Sequence, residues 1–274
     1  MKRILTIELH RAFTSHGFFL SLLLGTVIAV SHCATSIVPL ALGLDEYLSY
    51  NMPMMYPGWL FTSWMGGNAQ NMLAYLFFLI IPLLAALPFA DSFFSDAKGG
   101  FIQSLCIRTN KHYYFAAKYT ACFLSGGTAV ILPLALNFGL SCMLLPSMKP
   151  EVTAFDSAIG ENSSFPHLFY EHPFVYVLVY LAFIFVFSGL IATLSLLASY
   201  HVSHRFLVVI APFFIFLFVN ALFSLWGLEQ WEPVNFLHPS YAGDARIPML
   251  VETVLLCGLT VYAFIVKGAQ DDVF

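Results

Sequence analysis

Long uncharged runs broken by short polar stretches set the rhythm of this chain. Residues 17–44 contain no Asp, Glu, Lys or Arg, and that length exceeds the ~20 apolar residues an α-helix needs to cross a bilayer. Comparable runs follow at residues 72–90, 119–145, 173–198, 206–228 and 247–266. The pattern predicts six transmembrane helices in one domain covering residues 1–274. Ahead of them, Ile4, Ile7, Leu9 and Phe13 alternate with Lys2, Arg3, Glu8, His10 and Arg11, which suits a helix lying in the membrane interface. The turn at residues 199–205 is short enough to make a helical hairpin of the fourth and fifth spans. Residues 45–71, 146–172 and 229–246 read as loops and short interfacial helices on the opposite side.

The polar interruption at residues 91–118 stands apart. It carries Lys98, Arg108, Lys111 and Lys118. Gly99 and Gly100 loosen the backbone, and Phe101, Ile102, Leu105 and Cys106 then place one apolar stripe on a helix of two or three turns. A helix so short cannot span a bilayer. It either rests on lipid or presses its stripe into a groove of a soluble partner, and the sequence reading favours the partner. Thr109 or Asn110 is placed to cap the helix that follows. Along that helix Ala117, Ala121, Ser125 and Ala129 recur every four residues, a ridge of small side chains that lets another helix approach closely.

Composition agrees with the periodicity. Hydrophobic residues make up 59% of the chain, charged residues 9%, and the mean hydropathy is +0.82, too little polar surface to clothe a soluble globule of this length. The expected class is an all-α integral membrane protein. A net charge of −4 leaves no basic footprint for nucleic acid. Lys2, Arg3, Arg11, Lys98, Arg108, Lys111, Lys118, Arg205 and Lys267 fall on one side of the expected spans, and Lys149 and Arg246 on the other. The positive-inside rule then puts both termini and the 91–118 stretch in the cytoplasm of a multi-pass plasma-membrane protein. The first apolar segment is expected to be retained, because His32 stands where a lipoprotein signal ending at Cys33 would need a small residue.

Candidate chemistry is sparse. The sequence has no H-E-x-x-H, no G-x-S-x-G and no P-loop, so no catalytic residue is assigned and no cofactor or metal is expected on this chain. His201 and His204 lack the further ligands of a metal site. Glu252 is the one acid inside an expected span, which makes it a functional candidate by default. His32, Asn137 and Asn220 also lie within expected spans, where they either line a pathway or bond between helices.

The run Asp91-Ser92-Phe93-Phe94, Lys98-Gly99-Gly100-Phe101-Ile102-Gln103, Arg108-Thr109, Tyr114-Phe115, Lys118-Tyr119 and Ser125-Gly126-Gly127, set in this topology, resembles permease subunits of ABC transporters of the type-2 export family. The resemblance covers the topology of nearly the whole chain and the wording of about residues 91–137. It implies that residues 1–16 form a connecting helix and that a short cytoplasmic coupling helix at residues 100–108 lies between spans two and three. Phe101, Ile102, Leu105, Arg108, Asp96 and Lys98 would then face or support an ABC ATPase subunit that holds ATP and Mg. A second permease subunit, identical or sister, would complete the pathway for an amphiphilic or hydrophobic substrate. A membrane-embedded enzyme and a non-transporting anchor or sensor subunit are the alternative readings of the same topology.

Overall fold

A computed structural model describes residues 2–43, 60–68, 70–100, 102, 110–150, 159–160, 162–202 and 204–267. All regular structure among these residues is helical. Helix α1 (Lys2–Phe13) leads at Ser15 into α2 (His16–Leu42). The Ser15 hydroxyl accepts from the Phe18 amide and donates to the Pro88 carbonyl at 2.6 Å, so the cap that starts α2 also fixes it to the chain at Pro88. A π-helical turn at Cys33–Ile37 interrupts α2 just before Pro39, whose missing N–H breaks the regular ladder.

The short helix α3 (Leu60–Ser63) precedes α4 (Met72–Ala86). The Asn71 side chain caps α4 by accepting from the amides of Leu73 and Ala74, and donates to the Ser36 hydroxyl at 2.7 Å. Next come α5 (Ser92–Lys98), α6 (Lys111–Leu144), α7 (Pro166–Glu171), α8 (Pro173–Ala198), α9 (Arg205–Leu225), α10 (Pro233–Leu237) and α11 (Arg246–Val266).

Among the described residues five helices, α2, α6, α8, α9 and α11, are long and apolar enough to cross a membrane. The 72–90 run differs from the sequence expectation. Its regular helix has 15 residues, about 22 Å at 1.5 Å per residue against a hydrocarbon core of about 30 Å. Beyond Ala86 the regular helix gives way to hydrogen-bonded turns around Pro88, with the Leu87 and Ala90 amides donating to the Leu83 and Ala86 carbonyls. Helix α6 starts at the cap the sequence offered: Asn110 accepts from the His112 amide, so the helix begins eight residues before the apolar run at position 119 and runs for 34.

Helix α6 is the central post, packed against α8, α2 and α1, while α4 fits among α2, α6, α8 and α9. The small-residue ridge is where the sequence put it, for Ala117, Ala121, Ser125 and Ala129 are all buried. Glycines extend it. A Cβ at Gly126 would stand 2.4 Å from the Ala192 Cβ and 2.8 Å from the Ala85 carbonyl oxygen. One step on, Phe185 of α8 lies across Gly127, Phe123 of α6 lies across Gly189, and the two rings meet edge-on at 5.8 Å. With no hydrophobic force between helices in lipid, such backbone proximity supplies the dispersion contact that holds them. At the end of the bundle remote from α1, Ser163 and Ser164 donate to the carbonyls of Ala242 and Gly243, and Tyr176 donates to the Pro239 carbonyl.

Candidate functional site

The site is a buried ionic cluster where three elements meet near the start of α6. Glu8 and Arg11 are one turn apart on α1, Asp96 lies on α5, and Tyr114 and Lys118 are one turn apart on α6. The Lys118 ammonium is fully buried and reaches Glu8 Oε2 at 3.0 Å and Asp96 Oδ2 at 2.5 Å. Arg11 donates to Glu8 Oε1 at 3.0 Å and, through both terminal nitrogens, to Asp96 at 2.8 and 3.2 Å. The Tyr114 hydroxyl donates to Asp96 Oδ2 at 2.9 Å. Two carboxylates thus balance two cations. The Phe89 ring closes one side, its centroid 4.6 Å from the Lys118 ammonium, where the ring face attracts the charge.

Asp96 is the hub, accepting from Arg11, Lys118 and Tyr114. Burial pushes its carboxyl up, but the Arg11 hydrogen bond and the Lys118 charge outweigh that and hold it below the usual carboxylate range. Its contribution to folding is therefore present above the ordinary carboxyl range and is lost as pH falls through the lowered value. The Arg11 guanidinium is shifted upward, chiefly by the hydrogen bond to Asp96, and stays charged. Chemically the cluster does not present a free nucleophile or base. It locks α1, α5 and the foot of α6 into one body.

The other candidates lie elsewhere. Asn137 Oδ1 accepts from the Met65 amide, and its Nδ2 donates to the Ala29 carbonyl and, at 3.3 Å, to His32 Nδ1. This joins α2 and α6 to the Met65 turn and leaves the proton of His32 on Nε2, which is buried without a hydrogen-bond partner among the described residues. Asn220 donates to Phe216 and accepts from the Val234 amide, which ties α9 to α10. Glu252 faces a cavity of about 270 Å³ among α8, α9 and α11. His201 and His204 are exposed, and the described residues hold no group of three potential metal ligands.

Of the residues assigned to ATPase coupling, Phe101, Leu105 and Arg108 lie outside the described residues. Lys98 is exposed, its ammonium 4.4 Å from the Phe94 ring centroid. Asp96 points inward to the cluster. Ile102 is fully buried in the core of this chain, so it anchors the segment from within and is not part of a surface a partner touches. Glu8, Arg11, Tyr114 and Lys118 were not singled out as a set by the sequence. The usable signal was a lysine entering an apolar helix, with unpaired acids at Glu8 and Asp96 on the same side of the membrane in the topology; sequence separations of 85 and 110 residues conceal the pairing.

Compared with known protein families, curated proteins and solved structures, the chain matches none of them.

Proposed function

We propose that this chain is the membrane-spanning subunit of an ATP-driven ABC exporter for an amphiphilic or hydrophobic substrate. In this reading α4, extended through the turns to Ala90, completes a set of six passages, and both termini lie in the cytoplasm. A second permease subunit and ATPase subunits carrying ATP and Mg complete the machine.

The observation that carries the reading is the ionic cluster. Helix α5 leads toward residues 100–108, the stretch read as the ATPase contact, and Gly100 has φ +68°, a left-handed turn that glycine takes without strain. Asp96 fastens α5 to α1 and α6 by charge-assisted bonds. In this reading a push delivered at residues 100–108 reaches the interfacial helix and the central post together through Asp96, the kind of rigid connection an energy-coupling element requires.

Co-purification tests the proposal. The tagged full chain, extracted from its native membrane in mild detergent, is expected to bring with it a subunit bearing a P-loop and hydrolysing ATP. Extraction at intact fold with no ATP-hydrolysing partner would favour the anchor or sensor reading.

A further inference from the structure

Helices α9 and α11 flank α8, and the three line an open-sided cavity of about 270 Å³ that Glu252 faces. Phe187 of α8 and Phe216 and Phe223 of α9 present rings to it, and Leu255 and Leu259 of α11 line the other wall. Glu252 is the only ionisable residue among the lining side chains. Its Oε1 is shielded and has no hydrogen-bond partner among the described residues. The cation nearest to it along α11, Arg246, is paired with Asp244 at 2.7 Å.

A carboxyl group seated among apolar walls is unfavourable unless something compensates it. A lipid tail, a neutral lipophile or the apolar face of another helix would fill the space and leave that oxygen orphaned. An anion would be repelled. A cation satisfies the carboxylate, and aromatic faces attract the same charge. We propose that this cavity binds a lipophilic cation, its ammonium against Glu252 and its hydrocarbon against the phenylalanine and leucine walls. Naming that cation as exported cargo rests on the export reading above; the binding site does not.

The test uses the purified full chain in lipid nanodiscs without any ATPase. Two radiolabelled probes are compared by equilibrium dialysis against empty nanodiscs: phenylbutyltrimethylammonium and its neutral isostere with carbon in place of nitrogen. The unaltered chain is expected to bind the cation at least about tenfold more tightly than the isostere. Glu252→Gln is expected to reduce cation binding by at least about tenfold and to leave the isostere unchanged. Equal binding of the two probes overturns the proposal, as does a Gln variant that binds the cation normally. Should Glu252→Gln fail to fold, the comparison on the unaltered chain still decides. A clear cation preference in a chain that recruits no ATPase would sink the export reading and leave the site standing; recruitment without the preference would do the reverse.

Discussion

Lys118→Met is expected to cost the fold about 3–5 kcal/mol, the range found when one partner of a buried ion pair is removed. The methionine fills much the same space, so the loss is electrostatic. It leaves Glu8 and Asp96 with Arg11 as their shared cation, Glu8 Oε2 desolvated without the ammonium it met at 3.0 Å, and Asp96 Oδ2 held only by Tyr114 and Arg11. The measurement is the thermal midpoint of the purified chain in detergent, read by the loss of the monodisperse peak. Adding Glu8→Gln to the Lys118→Met background removes one stranded carboxylate and is expected to recover part of the loss, because residues in one network do not act additively. A Lys118→Met midpoint equal to that of the unaltered chain would mean that the cluster does not hold these elements together.

The second large effect lies at residues 100–108. Phe101→Asp with Leu105→Asp is expected to release the ATPase while leaving the chain inserted at normal abundance. Each apolar side chain that is fully desolvated in a groove contributes about 1.5–3 kcal/mol, and tenfold in affinity corresponds to about 1.4 kcal/mol. The pair therefore predicts a loss of at least about a hundredfold in association. Ile102→Ala supplies the contrast. That side chain is buried in the chain's own core, so its truncation is expected to lower stability by about 2–5 kcal/mol without a specific loss of the partner. Retention of the ATPase by the double variant at equal membrane abundance would remove residues 101 and 105 from the docking surface.

Ile102, buried in the chain's own core, shows where sequence reading ran out. Its apolar spacing with Phe101 and Leu105 marks a stripe, but a stripe carries no label saying whether the core or a partner covers it. The apolar runs at residues 173–198 and 206–228 announced α8 and α9 nearly to their ends, since an uncharged run bounded by Pro173 or by Arg205 leaves little choice of limits. The 72–90 run was harder. Hydropathy sees length without seeing that the regular helix ends before Pro88, so α4 is shorter than its composition suggests.

Small residues on α6 foretold a close neighbour because their meaning is local. The cluster of Glu8, Arg11, Asp96 and Lys118 was not legible for the opposite reason. Each charge by itself suits a solvated membrane flank, and only the three-dimensional meeting of α1, α5 and α6 takes them out of water. Glu252 was legible as an oddity from its position alone, whereas its aromatic and aliphatic surroundings come from three helices and needed the fold.

Transport driven by ATP is the most direct measure of the account. Inside-out membrane vesicles carrying the chain with its co-purifying ATPase expose the cytoplasmic face to added nucleotide and Mg. The account predicts that ATP drives accumulation of amphiphiles within such vesicles, and that Phe101→Asp with Leu105→Asp abolishes it at unchanged abundance of the chain. Accumulation of a small sugar or an inorganic ion with amphiphiles ignored, or amphiphile uptake that proceeds equally without ATP, would contradict it.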